Sequence, residues 1–404
     1  MTSVRVAAVQ ANYVLMDQAA TLDRVAALTA AAAAQGAQLA AFPEVFVPGT
    51  PIWIDTRPIW DGDEDWFRLL AENAVVVPGP AIERLGAIAR DNEVWLVIGV
   101  EERERHGGDH LQHRAVLLPP DGALAGRHRK LMPTGSERTV WGMGDGSTLR
   151  VVDTPFGQVG GLICWENYMP LARFHIYAQG VDLWIAPTLA IGDGWITTLQ
   201  HLARENRMFV VGVNPVLHAD QIPADFPHRD RLVPPGYLED NGPWLEEGNT
   251  VIIAPNGAIA AGPVREKEET LIADLDLGAV LAARRHLDPA GHYNRPDVFR
   301  LHVDTSPRPA FVEHGPPTDP GAFPAASPVR TSGRDCGREG LWEDWPDRRV
   351  RRPWSGCNWR GPRQTVYTRA FFTAIRVLRA AGEASNSGGS CSRQRPRVER
   401  WNGG

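Results

Sequence analysis

The 404-residue sequence is poor in cysteine: it has four, and Cys164 is the only one among the first 335 residues. A thiol with no partner in the body of the chain excludes a disulfide framework there. Long apolar runs are also missing, and none approaches the ~20 residues that a membrane-spanning helix needs. The opening "TSVRVAAVQA" has no run resembling the apolar core of a signal peptide and reads as a strand. These absences predict a soluble cytoplasmic protein with no membrane partner. "GMGDGS" is glycine-rich, yet it lacks both the lysine of a nucleoside-triphosphate loop and the third glycine of a dinucleotide loop. His106, His110 and His113, in "HGGDHLQH", have no supporting cysteine or carboxylate pattern and read as part of a solvated hairpin loop, not a metal site. No cofactor and no metal is implied.

What is present divides unevenly along the chain. The net charge is −6, but the segment from Arg330 onward has 16 Arg, no Lys and 7 acidic residues. That tail is therefore +9 and the preceding 329 residues are −15. Residues between Val312 and Arg330 are rich in Pro, Gly and Ala and read as a linker. We expect one body over residues 1–312 and a Pro/Gly/Arg-rich extension over 313–404 that is largely disordered. The tail carries five of the 14 Trp and one candidate helix, "YTRAFFTAIRVLRAAG". It resembles no known nucleic-acid reader, so no nucleic-acid partner is expected.

The body alternates between strand and helix patterns. "VRVAAVQA" and "AQLAAFPE" are strands on either side of an Ala-rich helix from Asp17 to Gln35. Two further helices (Asp63–Val75, Ala81–Asn92) precede the buried strand "VWLVIGVEE". Hairpins come next, one turning at Pro120-Asp121-Gly122 and one at Pro155-Phe156-Gly157. Then come a helix from Met169 to Gln179, the strand "VDLWIAPT", a helix from Trp195 to Arg207, and the strand "FVVGVNPV". An insertion spans Leu217–Glu247, and "NTVIIAPNGAIAAG" and "TLIADLDL" lie beyond it. This order predicts an α/β protein with mixed sheet covered by helices in layers.

Reactive groups in layered α/β proteins collect where strands end. Three polar residues sit at such ends: Glu44 after "LAAF" and Pro43, Lys130 after "GRHR", and Cys164 after "QVGGLI". Taken singly, each reads as a solvated loop residue or an inert core thiol. Taken together, with "AAFPE", "HRKLMPT" and "GGLICWEN" around them, the chain resembles the nitrilase superfamily of carbon–nitrogen hydrolases from about residue 4 to 305. Trp165-Glu166 after the cysteine and the stretch "LMPTGSERTVWGMGDGST" are similar to the nitrilase branch.

That resemblance implies a nitrilase-like α-β-β-α sandwich that hydrolyses a small-molecule nitrile to acid and ammonia. A cyanide or aliphatic amide hydrolase on the same scaffold is the alternative, and a non-catalytic assembly protein a remote one. It implies Cys164 as nucleophile, Glu44 as general base and Lys130 as the cation beside the reacting centre. Glu137 has two readings, an ion-pair partner that orients Lys130 or a second acid/base, whereas spacing alone makes it an exposed helix residue paired with Arg138. A thiolate suits attack on a weakly electrophilic nitrile carbon; a free thiol ionises near pH ~8.5, so a base and a cation are needed to favour the anion. Glu166 beside the nucleophile would raise the thiol pKa, so it is expected to face away and pair with a cation or a backbone N–H. Trp165 supplies a candidate backbone donor, as in a nucleophile elbow. Trp53, Trp60, Trp165, Thr188 and Trp195 are the expected substrate-facing residues. The resemblance also implies self-association into dimers and spiral homo-oligomers; the tail and the insertion are the candidate contacts.

Overall fold

The computed structural model describes residues 3–308, apart from 56, 58–60, 62, 105–110 and 234–235. The extension 313–404, Trp60, His106 and His110 lie outside the described residues. Thirteen strands are present among the described residues: β1 Ser3–Gln10, β2 Leu39–Ala41, β3 Trp95–Arg103, β4 Leu111–Leu118, β5 Gly126–Arg129, β6 Val152–Thr154, β7 Gly157–Gly161, β8 Leu183–Pro187, β9 Phe209–Val213, β10 Val216–His218, β11 Trp244–Ile253, β12 Ile259–Arg265 and β13 Glu269–Asp276. The helices that shape the core are α1 Gln18–Ala34, α2 Glu64–Asn73, α3 Pro80–Asp91, α4 Pro170–Tyr177 and α5 Asp193–Asn206. Their ends reflect local chemistry. The Asp17 carboxylate accepts from Ala20 N at 2.9 Å to open α1, and a proline, which has no N–H to leave unpaired, opens α3 and α4.

The strands form two sheets, ordered β13-β1-β2-β3-β4-β5 and β10-β11-β9-β8-β7-β6, with β12 pairing on β11. Each holds three parallel strands in a row, β1-β2-β3 and β7-β8-β9. Parallel neighbours need crossover connections, and α1 to α3 supply them in the first sheet, α4 and α5 in the second. The loops leaving β2, β7 and β8 carry Glu44, Cys164 and Thr188.

Side chains alternate between faces with the strand period of two. From the first sheet Val4, Val6, Ala8, Leu39 and Val97 pack against Leu183, Ile185, Phe209, Val211 and Ile252 of the second. The alternate residues Ala7, Val9, Ala40 and Ile98 pack under Leu22, Trp66, Ile82 and Leu85 of the first three helices. In the second sheet Trp184, Val210 and Val251 pack under Ile176, Leu199 and Leu202. The result is a helix–sheet–sheet–helix stack. Burying one such Leu or Ile is worth ~1.5–3 kcal/mol, so Leu183→Ala in the middle layer would cost about 2–5 kcal/mol.

The insertion Leu217–Glu247 is built into the body of the fold. Its two ends pair with each other as strands, Leu217 opposite Glu246 and His218 opposite Trp244. Leu217, Ile222, Phe226 and Leu232 are buried in the first helical layer, and Trp66 Nε1 donates to Pro227 O at 2.7 Å. Its polar Pro, His and Arg residues masked four apolar anchors. Among the described residues no helix is long and apolar enough to cross a membrane.

Candidate active site

The loop that carries Glu44 lies on β3. Gly99 N donates to Pro43 O at 3.0 Å, and Val47 N donates to Gly99 O at 3.3 Å. A Cβ at position 99 would come within 2.6 Å of Val45 N, Pro43 O and Glu44 Cα, so only glycine lets the loop settle. Lys130 comes directly after β5, fixed on both sides: its N–H donates to His113 O and its carbonyl accepts from Gly144 N, each at 2.8 Å. Glu137 lies in a short 3₁₀ turn, Gly135–Thr139, and its Oε2 accepts from Thr134 N at 2.7 Å. Cys164 opens another 3₁₀ turn, Cys164–Tyr168, shortly after β7. Its φ is +51°, a left-handed conformation that costs a non-glycine residue on the order of 1–3 kcal/mol and needs support from its surroundings.

Two neighbours in the sequence give that support. Asn167 Nδ2 donates to Leu162 O at 2.9 Å and to Cys164 O at 2.7 Å, while its Oδ1 accepts from Trp184 Nε1 at 2.8 Å. The Glu166 carboxylate accepts from Ile163 N at 2.9 Å and Leu131 N at 2.5 Å, and lies 2.9 Å from His128 Nε2. Glu166 thus turns away from the sulfur, as expected from its charge. It also ties the residue before Cys164 to the residue after Lys130, a link that no local sequence pattern announces.

These supports bring Glu44, Lys130, Glu137, Cys164 and Thr188 together. Lys130 Nζ donates to Glu44 Oε1 at 3.0 Å and to Glu137 Oε2 at 2.7 Å. The Cys164 thiol lies close enough to the Glu44 carboxylate and the Thr188 hydroxyl for each to influence its ionisation. All five residues are buried. Glu137 is therefore not the exposed partner of Arg138 that spacing suggests; Arg138 Nε donates instead to Pro133 O at 3.0 Å.

Burial and charge set the protonation states. Burial pushes the Glu44 carboxyl up to about 7, with Lys130 opposing the rise and Glu137 adding to it. Burial and the neighbouring Glu44 charge push the Cys164 thiol up to about 12 against the pull of Lys130. Burial works against the Lys130 ammonium, but Glu44, Cys164 and Glu137 outweigh it and hold the charge in place. Near neutral pH the resting thiol keeps its proton, the ammonium is fixed, and Glu44 is poised to exchange a proton. The cation favours the thiolate but does not by itself create it.

His113 corrects the sequence reading of a solvated loop. Strand β4 begins at Leu111, and His113 is a fully buried strand residue whose Nε2 lies 3.4 Å from Glu44 Oε1. The glycines of "HGGDHLQH" belong to the stretch ahead of the strand; the alternation of "LQHRAVLL" is the signal for the strand itself. One oxygen each of Glu44 and Glu137 and one His113 nitrogen lie within 4.8 Å of one another, and the cation that touches both carboxylates is the Lys130 ammonium.

The aromatic residues separate. Trp165 is about half exposed and stacks edge-on against Tyr168, with ring centres 5.8 Å apart; Tyr168 in turn lies 6.0 Å from Trp195, a buried residue in the first turn of α5. Trp53 is buried in the first helical layer, 5.6 Å from Trp66.

A sequence profile of the Carbon-nitrogen hydrolase family matches residues 5–285. The chain belongs to this family, in its nitrilase branch. It is 40% identical over 312 residues to Nitrilase 1 of Arabidopsis thaliana, covering 76% of this chain and 88% of that protein. It is 42% identical over 318 residues to an aliphatic nitrilase of Sinorhizobium fredii, covering 77% and 99%. The fold matches the crystal structure of a Saccharomyces cerevisiae nitrilase-superfamily member with a TM-score of 0.56 at 21% identity, over 73% of this chain and 97% of the other. The helix–sheet–sheet–helix stack is thus the α-β-β-α sandwich of the nitrilases.

Proposed function

We propose that this protein is a nitrilase that hydrolyses an organic nitrile to its carboxylic acid and ammonia through a covalent intermediate on Cys164. The observation that carries this reading is the buried meeting of one thiol, one carboxyl that titrates near neutrality and one fixed ammonium, in a chain about 40% identical to nitrilases.

Glu44 takes the thiol proton as sulfur adds to the nitrile carbon. Negative charge gathers on the nitrile nitrogen, where Lys130 Nζ and the Trp165 N–H, unpaired at the start of its turn, stabilise it; one such donor is typically worth ~3 kcal/mol. Glu44 returns the proton to nitrogen and leaves a thioimidate. It then deprotonates a water, ammonia departs, and a thioester remains; a second water releases the acid and restores the thiol. One carboxyl serves every step because proton uptake and release alternate, and a pKa near 7 suits both directions. Glu137 holds Lys130 between the two carboxylates.

The lone thiol of the body supports a reducing compartment, the cytoplasm. The branch resemblance supports self-association into dimers and spirals, which sedimentation velocity would detect.

The test is ammonia release from a panel of aliphatic, aromatic and arylaceto-nitriles, with the matching amides and cyanide in parallel. Ammonia from nitriles, together with a mass adduct at Cys164 that is lost in Cys164→Ala, is the expected outcome. Ammonia from amides and never from nitriles would overturn the reading.

A further inference from the structure

His113 is the buried polar group that the proposed reaction leaves unused. Its side chain is wholly buried, and Nε2 sits 3.4 Å from Glu44 Oε1. Neither ring nitrogen has a hydrogen-bond partner among the described residues. The ring packs against Trp141, with centres 4.7 Å apart and planes at 44°. An unsatisfied buried imidazole is costly, and here it lies beside the group that carries the reaction's protons.

The charged and titratable groups around it decide its state. Glu44 faces it from the loop after β2, and Lys130 and His128 from β5 and its end. Glu137 faces it from the 3₁₀ turn. Glu101, its register partner on β3, accepts from Trp141 Nε1, and burial pushes its carboxyl well above the usual carboxylate range. Burial, then Lys130 and His128, push the His113 imidazolium well below its ordinary range. The ring is therefore neutral, with one N–H to give and one lone pair.

We propose that His113 is a positioning residue for the base: its neutral Nε2–H donates to Glu44 and stabilises the carboxylate form of Glu44 without adding a charge to the site. A second cation there would bind the carboxylate too firmly for it to return its proton, whereas a neutral donor does not. The resting contact is long, as such contacts often are before substrate binds. The proposal rests on Glu44 being the base.

Two substitutions separate donation from packing. His113→Phe keeps a ring against Trp141 and removes the donor; His113→Gln keeps a donor near the Nε2 position and removes the ring. Losing the donor raises the Glu44 pKa. The acid limb of kcat/KM should therefore move up by about half to one pH unit in His113→Phe and stay in place in His113→Gln. The rate of Cys164 alkylation by iodoacetamide against pH reads the same carboxyl–thiol couple with no nitrile present. It should shift in parallel in His113→Phe. An unmoved limb and alkylation profile in folded His113→Phe, or an equal shift in both variants, would overturn the proposal. Alkylation that tracks the proposal in an enzyme that releases no ammonia from nitriles would instead refute the assigned reaction.

Discussion

Arg129 and Lys130 are adjacent in sequence, yet they serve two buried charge clusters of opposite balance. Arg129 grips Glu102 through two nitrogens at 2.9 and 3.0 Å and reaches Glu104 at 3.0 Å; Arg114 binds Glu102 at 2.6 Å. Two guanidiniums meet two carboxylates, so the charges balance. Lys130 stands alone between Glu44 and Glu137, with a thiol beside them. One cation faces two carboxylates, and the surplus negative charge is buried. A buried surplus is relieved by a proton, and in the proposed reaction a proton passes between Cys164 and Glu44. The first cluster clamps strands; the second holds a mobile proton because it is unbalanced.

The largest effects come from the unbalanced cluster. Cys164→Ser should abolish ammonia release while leaving the melting temperature unchanged, since the swap is nearly isosteric. Lys130→Met should lower turnover by at least about 10²–10³-fold, the usual worth of one charge-stabilising donor. It should cost less stability than the loss of an ion-pair partner normally does, because a proton can replace the ammonium between the two carboxylates. Initial rates and thermal melts on the same samples check both; a Lys130→Met enzyme with a tenth of normal turnover would break the comparison.

The balanced cluster should fail in the opposite way. Glu102→Gln leaves Arg114 without its buried counter-charge, a change that typically costs about 3–5 kcal/mol. Denaturant unfolding should show that loss, whereas activity per folded molecule should stay within about twofold. Lost activity with stability intact would mean that the two clusters are coupled through the Arg129–Lys130 backbone.

How much of this was legible depends on the range of the signal. Glu44, Lys130 and Cys164 were readable because each ends a strand, and Thr188 ends another. The order of helices and strands gave the layers, and residues such as Val4 and Ala7 on β1 sort to opposite faces. Lysine usage offers a signal that the motifs did not need: only two of the 42 Lys and Arg residues are lysines, and Lys130 is one of them. A compact ammonium fits between two carboxylates where a planar guanidinium fork does not. His113 was missed because "HGGDHLQH" runs from glycines into the strand pattern with no clear boundary in the sequence. Gly99 was missed because its reason lies 55 residues away, at Glu44. Glu166 and His128 meet only after folding, and no local pattern marks such a pair.

The pH profile sharpens the comparison. With Glu44 near 7, kcat/KM should fall as pH drops through about 7, because the base becomes protonated. Glu137 raises that pKa by its charge, so Glu137→Gln should move the acid limb to lower pH even as it weakens the hold on Lys130. A limb that moves up instead would mean that Glu137 acts chiefly by steering Lys130 toward Glu44.

Glu246 completes the series, being a buried carboxyl with no cation paired to it among the described residues. Its oxygens are buried and face the hydroxyls of Thr50 and Tyr13, and burial pushes it up to about 7. Its ordinary value is 4.5, so the folded state holds the proton more tightly than the unfolded chain. The resulting stabilisation is complete below about 4.5 and is lost as pH rises through about 7. Glu246→Gln removes the titration and keeps the shape. The variant should match the parent near pH 4 and exceed it at pH 8 by about 1–3 kcal/mol, read from denaturant unfolding at the two values. Because Glu246 lies outside the reacting cluster, the acid limb of activity should not move. Equal stability differences at both pH values would mean that the carboxyl finds a compensating partner when it ionises, and that buried surplus charge in this fold is not always relieved by a proton.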